Sequence, residues 1–81
     1  MDKQELIEKL KVIIKPYTTN IDAYDNLTED TDFIKDLNIN SANLVDIVLD
    51  IEEKFDIVID NEEMERMLNV KVAVEIIESK L

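Results

Sequence analysis

Between Ser41 and Phe55 the apolar residues Leu44, Ile47, Val48, Ile51 and Phe55 recur at i, i+3, i+4, i+7 and i+11. That spacing lines one face of a helix and fits no strand. A stripe of this kind has to be buried, and other segments of the 81 residues can cover it. Two of them have matching stripes. Leu6, Ile7, Leu10, Ile13 and Ile14 predict a helix over residues 2–15, with Asp2 as its cap and Pro16 unable to continue it. Val70, Ala73, Val74, Ile76 and Ile77 predict another over 70–80, capped by Asn69. A short helix is expected at 61–67, where Glu62 and Glu63 lie in the first turn that the helix macrodipole favours.

The remaining segments are less regular. Residues 17–40 carry four Asn and six acids without a lasting helical period, so a long loop is expected, anchored by Tyr24, Leu27, Phe33, Ile34 and Leu37. Phe33 to Leu37 suit one helical turn. Glycine is absent from the whole chain, which leaves Asn as the most tolerant residue for left-handed backbone, and Asn38 is the clearest candidate. The β-branched run Asp56-Ile57-Val58-Ile59-Asp60 has no strand to pair with and reads as an extended linker. The expected architecture is one all-α domain over residues 1–81, a small four-helix bundle with three main helices, one short helix and a long first loop.

Composition narrows the chemistry. With neither Cys nor His, the chain has no thiol nucleophile, no Ser/His/Asp triad and none of the usual zinc ligands. Asp30, Asp32 and Asp36 superficially suggest a calcium loop, but Lys35 stands where such a loop needs Gly and Ser41 where it needs Glu. The neighbouring acid pairs Glu52/Glu53 and Glu62/Glu63 point differently around a helix, with no sign of a cleft that would raise a pKa, so an enzyme is not expected. The net charge of −11 argues against nucleic acid, whose phosphates demand Lys and Arg. Within residues 41–65 nine acids face one Lys, a field that suits basic partner surfaces and equally suits a plain solvated exterior. No apolar run resembles a signal peptide or spans a bilayer, and a soluble cytoplasmic protein is expected.

Two features of the central helix stay open on position alone. Val45 and Leu49 lie between its apolar face and the acidic face of Asn43, Asp46, Asp50 and Glu53, and suit either a core margin or the apolar centre of a docking patch. Ser41 is the other. Serines before apolar helices are mostly caps, but Asn40 already holds the better capping position, and a hydroxyl at a helix start is where backbone N–H groups favour a phosphate.

Asp36-Leu37-Asn38-Ile39-Asn40-Ser41-Ala42 resembles the acyl carrier protein signature Asp-Leu-Gly-x-Asp-Ser-Leu. The likeness runs without gaps through Phe33, Leu44-Val45-Asp46, Ile51-Glu52-Glu53-Lys54-Phe55, Ile59-Asp60, Glu62-Glu63 and Val70, covering about residues 5 to 80. It implies that Ser41 accepts 4'-phosphopantetheine from coenzyme A through a separate phosphopantetheinyl transferase, and that the chain then ferries a thioester-linked acyl or aminoacyl group in fatty acid, polyketide or related biosynthesis. It further implies a monomer whose second main helix docks on basic surfaces of transferases and acyl-handling synthases through Asp46, Glu52 and Glu53, with Val45 and Leu49 as the apolar element. The family's cargo gap would be lined here by Ile51, Phe55, Ile59, Met64 and Met67, and the two Met side chains are expected to leave long acyl chains poorly sheltered. Three positions depart from the signature: Asn38 for Gly, Asn40 for Asp and Ala42 for Leu. These departures suggest a dedicated transferase or an unusual cargo. The competing expectation is an unmodified member of the same fold that uses its acidic helix only to dock.

Overall fold

A computed structural model describes residues 2–81. In chain order it contains α1 (Lys3–Ile14), α2 (Ile21–Asp25), α3 (Ser41–Phe55), α4 (Asn61–Arg66) and α5 (Val70–Lys80). Each begins at a residue whose side-chain oxygen accepts a hydrogen bond from the first turn: Asp2, Asn20, Asn40, Asp60 and Asn69 respectively. Such caps satisfy donors that helix geometry leaves orphaned. They explain why these helices start where they do in a chain with no glycine to punctuate it.

The core forms where the three predicted stripes meet. Leu6, Leu10 and Ile14 of α1, Leu44, Ile47, Val48 and Ile51 of α3, and all five expected residues of α5 are buried in one cluster. Ile7, Ile13 and Phe55 pack against its edge. Helix α1 contacts both α3 and α5. The expected all-helical architecture is observed, and among the described residues no helix is long and apolar enough to cross a membrane.

The structure differs from expectation chiefly in the connection between α1 and α3. It contains a further short helix, α2, that periodicity missed because it buries no residue and leaves Ile21 exposed. Its order comes from polar contacts. Asn20 accepts the Ala23 N–H at 3.2 Å, and the Tyr24 hydroxyl donates to the Lys11 carbonyl at 3.1 Å. Of the expected anchors, Phe33 and Leu37 are fully buried, whereas Tyr24 and Leu27 only pack against the core. Ile34 points outward at 39% exposure, and Ile39, not anticipated, takes a place in the core. Phe33 to Leu37 do form a turn, in which the Asp36 and Leu37 N–H groups both donate to the Asp32 carbonyl at 3.1 Å.

Downstream of α2, residues 29–33 run antiparallel to 68–71. Lys71 N–H donates to Glu29 O, Val70 N–H to Thr31 O and Phe33 N–H to Leu68 O, at 2.9–3.1 Å. This pairing fastens the loop to the start of α5. The β-branched run at 56–60 remains an unpaired linker as expected. It begins at Asp56, whose left-handed backbone (φ 55°) ends α3 in the role that glycine usually fills.

Candidate functional site

The loop before α3 is built mainly from carboxylates and amides that cap backbone. Asp32 Oδ1 accepts the N–H groups of Ile34 and Lys35 at 2.9 and 2.8 Å, and Asp36 Oδ2 accepts the Asp32 N–H at 2.8 Å. Two of the three carboxylates that suggested a calcium loop, Asp32 and Asp36, are therefore occupied in holding a turn. Phe33, Leu37 and Ile39 then drive the loop into the core, and Asn38 takes the left-handed conformation expected of it (φ 56°). The chain emerges at Asn40, whose side chain accepts the Asn43 N–H at 2.8 Å and whose carbonyl accepts the Leu44 N–H at 3.1 Å.

Ser41 is the first residue of α3 and is exposed. Since Asn40 does the capping, the Ser41 hydroxyl is free of that task. The N–H groups of Ser41 and Ala42 have no acceptor among the described residues. Two unpaired donors beside an exposed hydroxyl, at the positive end of a 15-residue helix, suit a phosphate bonded to that oxygen. An apolar depression of about 160 Å³ opens at the same place, lined by Ile34, Leu44, Val45, Met64 and Leu68 together with Ser41 and Glu65. It draws on three elements: the Asp32 turn, α3 and α4 with the residues just after it.

The residues expected to dock are divided by the structure. Ser41, Val45, Leu49 and Glu53 fall at i, i+4, i+8 and i+12, a stripe along one side of α3 that spans about 18 Å. Val45 is 44% and Leu49 56% exposed, so neither belongs to the buried core. Asp46 and Glu53 are exposed as well. Glu53 also lines an open groove of about 560 Å³ with Val12, Ile13, Pro16, Asp50 and Lys54, on the α1 side of the helix. Glu52 stands apart. It is half-buried, and its Oε2 accepts the Ile59 N–H at 2.8 Å, so one carboxylate oxygen is committed to the linker after α3. Asp50 similarly accepts the Tyr17 hydroxyl at 3.0 Å, and that hydrogen bond to a carboxylate, reinforced by burial, raises the Tyr17 pKa above its ordinary value.

Of the residues expected to line a cargo gap, Ile51, Ile59 and Met67 are buried, Phe55 is half-buried, and only Met64 borders the depression at Ser41. Ile34 and Leu68 complete it and were not anticipated there. Both are exposed large aliphatic residues outside the helices, and neither has a periodic partner to reveal it.

No protein-family model matches the chain. It is 40% identical over 81 residues to an acyl carrier protein of Petrotoga mobilis, an alignment spanning the whole chain and 93% of that protein. It is 33% identical over 81 residues to the acyl carrier protein of Coprothermobacter proteolyticus, covering the whole chain and 96% of the relative. The chain belongs to the acyl carrier protein family. An acyl carrier protein of Helicobacter pylori is similar over 73 residues at 36% identity, covering 90% of the chain and 91% of the relative. Acyl carrier proteins are non-catalytic carriers, and the family typically works through phosphopantetheine and with synthase enzymes. The absence of Cys and His from this carrier accords with chemistry supplied from outside the chain.

Proposed function

We propose that this acyl carrier protein bears 4'-phosphopantetheine on Ser41 and delivers a thioester-linked acyl or aminoacyl group to enzymes of fatty acid, polyketide or related biosynthesis. The observation that carries the reading is the exposed Ser41 hydroxyl, relieved of capping by Asn40 and opening on an apolar depression. When bound, the arm supplies the thiol that a chain without cysteine lacks.

The chain's own residues have three tasks. Asn40 fixes the start of α3, so that the Ser41 oxygen faces solvent and a transferase. The Ser41 and Ala42 N–H groups offer hydrogen bonds to phosphate oxygens, which are worth more for a charged acceptor than for a neutral one. Ile34, Leu44, Val45, Met64 and Leu68 give apolar shelter in a volume near the ~150 Å³ that accommodates a benzene-sized group. Basic surfaces of the transferase and of acyl-handling synthases dock along Val45, Asp46, Leu49 and Glu53, with Glu52 contributing less because it also serves the linker. Contacts of this kind are small and weaken with salt. Residues 1–81 act as one carrier domain and a monomer. A cytoplasmic setting fits a carrier charged from coenzyme A.

The test is mass spectrometry of the chain after incubation with coenzyme A and a phosphopantetheinyl transferase, generic or cognate. The expected result is a mass gain of one phosphopantetheine, mapped to Ser41 and abolished by Ser41→Ala. An unmodified chain with both transferases, together with unchanged function in Ser41→Ala, would instead support the unmodified docking module.

A further inference from the structure

The connection between α1 and α3 crosses itself just before the modification loop, and the crossing is made by consecutive residues on both sides. Thr18 Oγ1 donates to the Leu37 carbonyl at 2.7 Å in a buried contact. Asn20 Nδ2 donates to the Asp36 carbonyl at 2.8 Å, and Asn38 Nδ2 donates to Thr19 Oγ1 at 2.9 Å. Thr18 Oγ1 also accepts the Asn20 N–H at 3.2 Å, which ties the clamp together internally. Residues 18–20 thus grip residues 36–38, ending three positions before Ser41.

Asn38 is the informative member. Its left-handed backbone would be met more easily by glycine, which has no Cβ. Glycine, however, could not reach Thr19. The side chain that makes the conformation harder to adopt is the one that bonds across the clamp.

We propose that the Asn38–Thr19 hydrogen bond is a positioning lock, which holds the loop before Ser41 in the conformation that the transferase recognises. Asn38 and Thr19 are positioning residues, and neither touches the reacting oxygen. The inference rests on the reading of Ser41 as the attachment point. A lock of this kind raises the fraction of the carrier that is competent to bind, so its loss raises the apparent KM for the carrier and leaves kcat alone. The bond is neutral and exposed, so its loss corresponds to a change of at most about tenfold, reached where the unlocked loop becomes the majority form.

The experiment measures transfer from coenzyme A onto the full chain, with its KM and kcat, for the wild type, Asn38→Gly, Thr19→Val and the double variant. Asn38→Gly keeps the left-handed backbone, so a loss cannot come from strain. The expected result is a several-fold rise in KM for each single variant, no further rise in the double variant, and recovery of the wild-type KM in Thr19→Ser, which keeps the hydroxyl. Amide hydrogen exchange at Ile39, whose N–H donates to the Phe33 carbonyl at 3.0 Å, reports loop opening without any transferase and should accelerate in Asn38→Gly and Thr19→Val. Wild-type KM in both single variants, with Ser41 still modified, overturns the lock. If the wild type itself is not modified, the reading of Ser41 fails, and unchanged exchange at Ile39 then overturns the lock separately.

Discussion

The helices α1, α3 and α5 and the connection across residues 15–40 are both ordered, but by different physics. The helices are held by side chains at helical spacing whose burial removes apolar surface from water, a non-directional term of about 1.5–3 kcal/mol for each large residue. The connection sends only Phe33, Leu37 and Ile39 fully into that core among its large side chains. Its shape comes instead from directional bonds, in which Asp32, Asp36, Thr18, Thr19, Asn20 and Asn38 satisfy backbone or one another. A helix face that is buried meets no partner, whereas the loop before Ser41 lies at the surface and, under the proposed function, has to keep one shape there. Polar fastening achieves that without hiding the loop.

The sharpest way to break the contrast is to weaken one buried fastening on each side. Leu10→Ala, at a fully buried position of α1, should destabilise the fold by about 2–5 kcal/mol, because the lost transfer energy is joined by the cost of a cavity. Urea unfolding followed by circular dichroism measures it. A loss below about 1 kcal/mol, on the same scale, would show that the core collapses around the gap and is looser than its burial indicates.

On the other side, Thr18→Val keeps the shape of the side chain and removes its hydroxyl, leaving the buried Leu37 carbonyl without its donor. An orphaned acceptor of this kind costs about 1–3 kcal/mol, less than the core substitution. The same urea experiment applies. An effect near zero would mean that water takes the place of Thr18, and that the connection is more open than the observed bonds suggest.

This contrast also explains which parts of the molecule could be read from its residues. Periodicity located α1, α3 and α5 to within a residue or so, since a helix that must bury a stripe shows it in the sequence. The caps Asp2, Asn40 and Asn69 and the left-handed Asn38 were readable because only a few residue types do those jobs, whereas the caps Asn20 and Asp60 were not anticipated. Helix α2 was not readable, since its five residues bury nothing fully and show no period, and Tyr24, which ties it to α1, has its partner on another segment. The pairing of residues 29–33 with 68–71 was hidden for the same reason, being made by backbone alone. At the site, Ser41, Val45 and Leu49 stood out on one helix face, but Ile34 and Leu68 come from elements brought together only by the fold. Glu52 shows the converse limit. Its place on the acidic helix is visible in the sequence, while its bond to Ile59 is not.

Helix α4 supplies a third kind of fastening, by charge, and a pH series separates it from the neutral Thr18 bond of the loop. Asp60 and Glu63 form a reciprocal cap, with Asp60 Oδ1 accepting the Glu63 N–H at 2.8 Å and Glu63 Oε1 accepting the Asp60 N–H at 3.2 Å. Glu63 Oε1 also pairs with Lys80 Nζ at 2.9 Å, joining α4 to the end of α5. The Lys80 hydrogen bond, followed by that from the Asp60 backbone, lowers the Glu63 pKa below its ordinary 4.5, against a smaller opposing effect of burial. Because the folded value lies below the unfolded one, the carboxylate's contribution is present at neutral pH and is lost as the pH falls from about 4.5 through the lowered folded value. Glu63→Gln should therefore melt slightly below the wild type at pH 7, the smallest effect of the three, and the gap should close as the pH falls below the lowered folded value. The gap for Thr18→Val should persist across the same range, since neither Thr18 nor the Leu37 carbonyl titrates there. Should the Glu63→Gln gap persist as well, α4 would be held by the geometry of its cap rather than by charge, and would belong with the loop.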